Sequence, residues 1–413
     1  MESLGLTTLS SMAVRNLLRH IRRSMITISM IAVGVAGLMF HRAFAEGSYA
    51  QAIANFTDTV TGHLQVSQNG FLNSFDAELF MDDPESLSDK LRQVSGVKSL
   101  TPRVISQVLV SSATKSQGVL ALGLDPDREP EVTKLHTFVV KGSFLNSGDK
   151  GGVMLGKPLA EMLGVGLNDK VVVFAQAYQG VLGAMTLRVS GLLETGGKET
   201  DNRVIFLTLD DARELLNYTN QVSSYVIKTT STKNVPEIAR RVKEQVDPFG
   251  YEVKRWDELA PEMPQWINFF DAIIQVIMVV VLIVIAVGIM NTVLMGVFER
   301  TREFGLMMAL GTRRRHVVLV VLEESVLLAV MGIVFGVVLG LAVIGYYHRV
   351  GISLEGFSAV SQVWYLGSKI YPIPSAKHLV EAISLLFIDT VVFSVYPAWR
   401  AASLEPVEAM RHV

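Results

Sequence analysis

The sequence has no cysteine and few charged residues. With no cysteine among its 413 residues, the chain cannot form disulfide bonds, thiolate metal ligands or cysteine nucleophiles. Asp, Glu, Lys and Arg make up 18% of the chain, whereas soluble globular proteins usually carry about 25%. Together with 50% hydrophobic residues and a mean hydropathy of +0.37, this deficit indicates a membrane protein. The net charge of −2 gives no electrostatic reason to bind nucleic acid.

Four long apolar runs account for the hydropathy. They are residues 24–40, 272–298, 325–347 and 382–399. A helix needs about 20 residues to cross a hydrocarbon core of about 30 Å. The second and third runs are long enough, the first needs His41 and Arg42 to snorkel at its end, and the fourth must tolerate Asp389. We therefore predict four transmembrane helices.

The first run also has features of a cleaved signal peptide. Arginines precede it, and Ala43-Phe44-Ala45 resembles a cleavage site with small residues. However, the run is long for a signal peptide, and Arg42 lies just before the cleavage position. We expect a retained helix, with cleavage as the alternative.

Arginine is concentrated before residue 24, in the 299–323 loop and after residue 399. With four spans these three segments lie on one side of the membrane, which the positive-inside rule identifies as the cytoplasm. We expect a multi-pass plasma (inner) membrane protein with both termini in the cytoplasm. Residues 46–265 then lie outside the cytoplasm.

Residues 46–265 have the pattern of a soluble α+β unit. The predicted strands are 63–67, 104–111, 118–124, 152–155, 170–176, 186–193, 204–208, 223–229 and 251–255. The predicted helices are 84–94, 157–163, 210–216 and 236–246. Because a strand–helix–strand order occurs at both ends of the unit, we expect the two ends to pair. A β-rich lobe, about 113–215, would then be inserted between them.

This unit contains one motif that resembles a nucleotide site. Gly151–Lys157 fits the phosphate-loop pattern G-x-x-x-x-G-K, but Pro158 stands where the magnesium-binding Ser or Thr is required. The intervening residues also predict a strand rather than a loop. We therefore expect no nucleotide site. The acidic turn near Glu199 and Asp201 and the isolated His63 and His136 predict neither catalysis nor a metal site.

The segment Glu299–His316 is rich in arginine but has an apolar helical pattern in its centre, which Gly311 ends. It predicts a short amphipathic helix at the membrane surface. From the residues alone, a basic loop with no further role is the alternative.

The sequence resembles the FtsX/MacB-type ABC transporter permeases along its whole length. Glu299–Gly305 with Ala309-Leu310-Gly311 resembles their pattern E-R-x-x-E-I-G-x-x-x-A-L-G. Tyr396–Arg411 resembles their closing pattern Y-P-A-x-R-A-A-x-L-x-P-x-E-A-L-R, and Ala13–Leu17 with Arg23-Ser24 resembles their opening segment.

Within this family the outer domain is similar to the lipoprotein-releasing LolC/LolE-type permeases, on the residues Leu122–Pro126 and Gly152–Gly164. Those permeases carry a proline-marked hook for a periplasmic carrier. No proline occurs here between Pro158 and Pro236, so the sequence does not predict that hook.

The resemblance implies four transmembrane α-helices with a large α+β domain, a MacB-like periplasmic core, inserted between helices 1 and 2. Residues 1–45 would form the N-terminal cytoplasmic segment and helix 1, and 46–265 the periplasmic domain. Residues 266–413 would form an FtsX-like permease domain with the other three helices.

The resemblance also implies a permease subunit that is not itself an enzyme. A separate cytoplasmic ABC ATPase would bind ATP and Mg, and this chain would bind no cofactor. ATP hydrolysis would drive the periplasmic domain to extract or export a lipoprotein, lipid or other hydrophobic cargo. The implied partners are the ATPase, a second permease subunit in a homodimer or heterodimer, membrane lipids, and a periplasmic carrier or adaptor; nucleic acid is not among them. From the residues alone, a membrane-anchored extracytoplasmic sensor without transport is the alternative.

The residues expected to couple to the ATPase all lie in the loop after the second run. They are Glu299, Arg300, Arg302, Glu303, Phe304, Gly305, Leu306, Ala309, Leu310, Gly311 and Arg313.

Three further features lie in or near the membrane runs. Asp389 is expected either to pair with another helix or to have a functional role. Gly332, Gly336 and Gly340 form a small-residue face for close helix packing, which we expect at the seam between two subunits. We also expect Glu324 and its neighbour Glu323 to pair with Arg313–Arg315.

Overall fold

The computed structural model describes residues 19–148, 150–354, 356, 365–366 and 369–405. The chain divides into two compact units. The helical unit consists of residues 1–49, 267–352 and 370–413, and the α/β unit consists of 50–266 and 353–369. The opening motif Ala13–Leu17 and the end of the closing motif, residues 406–411, lie outside the described residues.

The helices of the described chain range from one turn to ten turns in length. They are α1 (Ile21–Phe56), α2 (Phe71–Ser74), α3 (Pro84–Arg92), α4 (Glu129–Val132), α5 (Lys157–Leu163), α6 (Lys198–Arg203), α7 (Leu209–Leu216), α8 (Val235–Gln245), α9 (Trp256–Leu259), α10 (Glu262–Glu299), α11 (Thr301–Ala309), α12 (Arg314–Val350) and α13 (Ala376–Ala402).

The strands are mostly in the α/β unit. They are β1 (Leu64–Gln68), β2 (Val97–Ser111), β3 (Ser116–Leu124), β4 (Val139–Gly142), β5 (Gly152–Gly156), β6 (Lys170–Gln176), β7 (Leu182–Leu193), β8 (Val204–Thr208), β9 (Ser224–Thr229), β10 (Tyr251–Arg255), β11 (Ile352–Ser353) and β12 (Lys369–Ile370).

Four helices, α1, α10, α12 and α13, are long and apolar enough to cross a membrane. Each contains one predicted run and extends beyond it at both ends. The extension is largest in α1, which continues without a break past Ala43–Ala45 to Phe56 because the segment after Arg42 is rich in alanine and has no helix breaker but Gly47. The four predicted spans are therefore present, within longer helices.

The glycine face of α12 packs against α1 within the helical unit. A Cβ atom added to Gly332 would lie 2.6 Å from Cβ of Ile31, and one added to Gly336 would lie 2.7 Å from the carbonyl oxygen of Ala32. Gly340 likewise lies against α1. The prediction of close helix packing is confirmed, but its placement at a seam between two subunits is wrong, because α1 of the same chain already covers this face.

Ten strands of the α/β unit form one mixed sheet with the order β10-β1-β9-β2-β3-β8-β5-β7-β4, and β6 pairs with β2 and β7. β1 lies antiparallel between β10 and β9, with Leu64 opposite both Arg255 and Ile227. β2 pairs with β9 in its first half and with β3 and β6 in its second half. The expected pairing between the two ends of the unit is therefore confirmed, and the long strand β2 joins it to the remaining strands.

The hydrophobic core of the α/β unit follows the same division. One cluster combines side chains from both ends of the unit, such as Leu91 and Val242. Another is drawn from residues 104–218. The segment that resembles a phosphate loop belongs to this second cluster, since Gly152–Gly156 is the buried strand β5 and Lys157 begins α5, as predicted.

Candidate functional site

The elbow, which we define as Glu299–Arg313, connects α10 to α12 through the short helix α11. α10 ends at Glu299, and Arg300 breaks the helical conformation with φ −112° and ψ 17°. At the other end Gly311 adopts φ +91°, its N–H donates to the Met308 carbonyl, and the Thr312 N–H donates to the Met307 carbonyl, both at 3.0 Å. These two bonds form a Schellman motif, so the prediction that Gly311 stops the helix is confirmed.

The inner face of α11 is anchored by a phenylalanine. Phe304 is fully buried, and the adjacent Gly305 is also buried. Phe304 belongs to a cluster drawn from the ends of three long helices: Val297 of α10, Val317 and Val321 of α12, and Ala398, Ala401 and Ala402 of α13. The small alanines belong to the closing motif and leave room for the aromatic ring. The anchor therefore makes α11 part of the helical unit.

The outer face of α11 is exposed. Arg302, Leu306, Ala309 and Leu310 are all exposed and are spaced three or four residues apart, so they form one stripe along α11 and its C-cap. Arg313 is also exposed but lies beyond the Gly311 turn, where it precedes α12. Leu306 is 53% exposed and Leu310 is 74% exposed. The stripe thus presents Arg302 and two leucines, on a helix whose other face is held by Phe304.

Ion pairs hold the first turn of α11. Nε of Arg300 lies 3.0 Å from Oε2 of Glu303, and Nη1 of Arg300 lies 2.9 Å from Oε2 of Glu324. The guanidinium of Arg300 also lies 4.9 Å from the centre of the Phe304 ring, which is a cation–π contact. Glu303 accepts a second bond from Arg19 at 3.1 Å.

The partners predicted for Glu324 are wrong. It pairs with Arg300 and Arg23, not with Arg313–Arg315. The reason is distance along α12, because ten residues from Arg314 to Glu324 correspond to about 15 Å of helix. The sequence identified Arg23 as one of the arginines that orient the first helix and as part of the segment that resembles the family's opening motif, but not as a partner of Glu324. The acidic partners of Arg23 are Glu299, just after the second apolar run, and Glu324, just before the third. Their positions at run ends on the same predicted side of the membrane as Arg23 are the sequence signal that could have indicated these ion pairs.

Asp389 lies half-buried on α13, and its Oδ2 atom is buried without a hydrogen-bond partner among the residues that the structure describes. The neighbouring Thr390 and Ser394 donate their hydroxyls to carbonyls of their own helix, at 2.8 Å and 2.6 Å. A pairing partner for Asp389 on another helix is therefore not found within the described part of this chain.

Of the side chains singled out in the α/β unit, His63 and Asp201 are buried and hydrogen-bonded within the fold, whereas His136 and Glu199 are exposed. Nδ1 of His63 accepts the backbone N–H of Thr229 at 3.0 Å, and burial lowers the pKa of His63 while the Asp58 carboxylate opposes this. Asp201 is buried and accepts the N–H and the hydroxyl of Thr195. Burial raises the pKa of Asp201, against these hydrogen bonds. Among the described residues no group of three His, Asp or Glu side chains is arranged to hold a metal.

Two family models match this chain. The MacB-like periplasmic core domain matches residues 24–245, and the FtsX-like permease C-terminal model matches residues 275–406. The chain belongs to the FtsX/MacB-type ABC transporter permease family. This membership accounts for the sequence order of one long helix, one α+β domain and three further long helices.

Named relatives cover nearly the whole chain. The lipoprotein-releasing system transmembrane protein LolC of Neisseria meningitidis is 23% identical over 402 residues, with 94% of each chain covered. The macrolide export ATP-binding/permease protein MacB of Campylobacter jejuni is 25% identical over 434 residues, and the match covers 96% of this chain and 60% of that relative. Among solved structures, the periplasmic region of MacB from Actinobacillus actinomycetemcomitans is 14% identical with a TM-score of 0.34, covering 52% of this chain and 97% of that one.

Proposed function

We propose that this permease works with a separate ABC ATPase, and that the exposed stripe of α11 seats in that ATPase. The observation that carries the proposal is the two-sided character of α11. Its outer face exposes Arg302, Leu306 and Leu310, while its inner face is held by Phe304 to the ends of three long helices. Exposed apolar residues with a polar rim are typical of a protein contact.

This arrangement supports a mechanical role. Because interiors are close-packed, a push on α11 is passed to the helices that touch Phe304 instead of being absorbed in a loose loop. The arginines near the elbow support a cytoplasmic location for it by the positive-inside rule; both termini would then lie on the same side and the α/β unit in the periplasm. ATP and Mg would be bound by the ATPase, and this chain would supply the moving part.

The names of two relatives support a class of cargo. LolC is named for lipoprotein release and MacB for macrolide export, and both cargoes are largely hydrophobic. We propose that this chain, paired with a second permease subunit, extracts or exports a lipoprotein, lipid or other hydrophobic molecule. A periplasmic carrier or adaptor would receive the cargo.

Purification from native membranes tests the proposal. We expect the wild-type chain, tagged and solubilised in mild detergent, to carry a stoichiometric partner that hydrolyses ATP. Leu310→Glu places a charge in the exposed stripe and should remove that partner. Leu182→Glu is the matched control, because Leu182 is 72% exposed and lies on β7 of the α/β unit. A wild-type chain that purifies without an ATPase would favour the membrane-anchored sensor. Retention of the ATPase by Leu310→Glu would refute the docking face.

A further inference from the structure

Arg23 joins α1 to two other long helices. Its Nη1 atom lies 2.7 Å from Oε2 of Glu299, the last residue of α10, and its Nη2 atom lies 3.8 Å from Oε1 of Glu324 on α12. The Arg23 side chain is only 21% exposed and the Glu324 side chain 12%. Because both of these side chains are mostly shielded from water, the Arg23–Glu324 pair is screened less than a surface pair, whereas the Glu299 side chain is 38% exposed.

A glycine provides the seat for this guanidinium. A Cβ atom added to Gly296 would lie 2.7 Å from Nη2 of Arg23 and 2.9 Å from its Cζ. Gly296 is three residues before Glu299, so both lie on the same face of α10. A side chain at this position would force the Arg23 guanidinium to shift from its present place against α10.

The contacts of Arg23 continue to the elbow helix. Glu324 also pairs with Arg300, which in turn pairs with Glu303 of α11 and stacks on Phe304. The resulting elbow charge cluster contains as many arginines as glutamates: Arg19, Arg23 and Arg300 with Glu299, Glu303 and Glu324. Its charges therefore balance, which suits a half-buried position.

α1 needs such a link more than the other helices do. The elbow is covalently continuous with α10 and α12, whereas more than 200 residues of sequence separate α1 from it. The glycine face of α12 holds α1 close but is apolar, and apolar packing is non-directional. Ion pairs with fixed geometry instead set the register of α1 against the elbow.

We propose that Arg23 is a positioning residue that fixes α1 to the elbow, so that a displacement of α11 moves α1 together with α10 and α12. This inference rests on the proposed ATP-driven function. It adds α1, the helix that leads directly into the periplasmic domain, to the parts that the ATPase moves.

The absence of native cysteine allows a direct measurement. Glu46→Cys on α1 and Val350→Cys at the end of α12 are both exposed and can carry spin labels. The two sites are labelled in separate proteins, and the electron paramagnetic resonance spectrum of each label is measured in the purified complex with its ATPase, with and without Mg-ATP and vanadate. In the wild type we expect a nucleotide-dependent spectral change at both sites. Arg23→Gln should remove most of the change at residue 46 on α1 but leave the change at residue 350 on α12, which is covalently continuous with the elbow, while the ATPase remains bound.

Four further variants separate positioning from general stability. Arg22→Gln removes a neighbouring exposed arginine and should leave the change at residue 46 intact. Exchanging the charges with Arg23→Glu and Glu299→Arg should restore much of it. Gly296→Ala should reduce it by displacing the guanidinium. The matched control Gly345→Ala on α12, whose added Cβ meets no atom within 4 Å, should not reduce it.

The outcomes distinguish this inference from the proposed function. If the labelled wild type lacks both an ATPase and a nucleotide response, the proposed function fails. If the wild type responds, and Arg23→Gln and Gly296→Ala respond equally, the role of Arg23 is overturned while the function stands. If Arg23→Gln does not fold, the nucleotide-dependent change is compared between Gly296→Ala and Gly345→Ala. Equal changes in these two variants would overturn the role of Arg23.

Discussion

A buried ion pair in the α/β unit gives the sharpest prediction about stability. Arg103 of β2 and Glu129 of α4 each have side chains only 1% exposed, and Nη2 of the arginine lies 2.5 Å from Oε1 of the glutamate. Arg103 also donates to the Val60 carbonyl, and the Thr133 hydroxyl donates to Glu129 at 2.7 Å. The pair therefore connects three segments of the unit: the helical turn after α1, strand β2 and helix α4.

Glu129→Gln keeps the shape of the side chain and removes its charge. The guanidinium of Arg103 then stays buried without a counter-charge, which costs about 3–5 kcal/mol for a buried pair. For a domain of about 200 residues this corresponds to a fall in Tm of about 6–20 °C. The double variant Arg103→Met with Glu129→Leu should be less damaging than Glu129→Gln alone, because it leaves no unpaired charge.

The assay is thermal unfolding of the full-length protein in detergent, with hydrogen exchange of the β2 peptide to localise the effect. Glu237→Gln on α8 is the control, since Glu237 pairs with Arg240 and Arg241 at the exposed surface and its loss should give no measurable shift. The reasoning is refuted if Glu129→Gln lowers Tm no more than Glu237→Gln does, or if the double variant is worse than Glu129→Gln.

Three further predictions concern the elbow, the glycine face and pH. Phe304→Ala should cost about 3–5 kcal/mol of stability, measured by thermal unfolding, because it empties a fully buried aromatic site. Gly336→Ala should cost about 1–3 kcal/mol by forcing α1 and α12 apart, and Gly345→Ala should cost much less. Because burial lowers the pKa of His63, the unfolded chain binds more protons than the folded chain below pH 6.5, so stability falls as the pH drops through that window. Tm is measured at pH 7.5 and at pH 5 for the wild type and for His63→Gln. We expect the fall in Tm between the two pH values to be smaller in His63→Gln by about 2–4 °C, which is equivalent to about 1 kcal/mol for one hydrogen bond. An equal fall in Tm in both proteins would contradict this.

Local sequence signals predicted the bounds of a strand well where the hydrophobic pattern and the flanking turn residues indicate the same ends. The strands Lys170–Gln176, Val204–Thr208 and Tyr251–Arg255 have the predicted bounds, because β-branched residues in an alternating or continuous apolar pattern are flanked by turn residues. By contrast, β4 (Val139–Gly142) was not predicted. It is a short strand at the end of the sheet with largely exposed side chains, so it has no burial pattern to detect.

The partners of particular side chains were harder to predict than the elements. Periodicity identified Gly336 as part of a close-packing face but could not identify the helix that packs on it. It also identified Glu324 as a charge at the end of a span but not its arginines, which come from distant parts of the sequence. Contacts of this kind depend on which helices are neighbours, and a single sequence with period-based reasoning carries little of that information.

The charges at the two ends of α1 show how a helix so distant in sequence is held in the helical unit. Arg23 and Arg42 are 19 residues apart, or about 28 Å along the helix, close to the thickness of a hydrocarbon core of about 30 Å. Arg42 lies 3.2 Å from Asp271 of α10 and 3.3 Å from Glu381 of α13, as Arg23 lies between glutamates of α10 and α12. Each arginine thus binds carboxylates of two other helices. Between these two sets of ion pairs, the glycine face of α12 packs against α1. Sliding α1 alone along its axis would break ion pairs at both ends at once, so these contacts favour movement of α1 together with the helices to which it is paired.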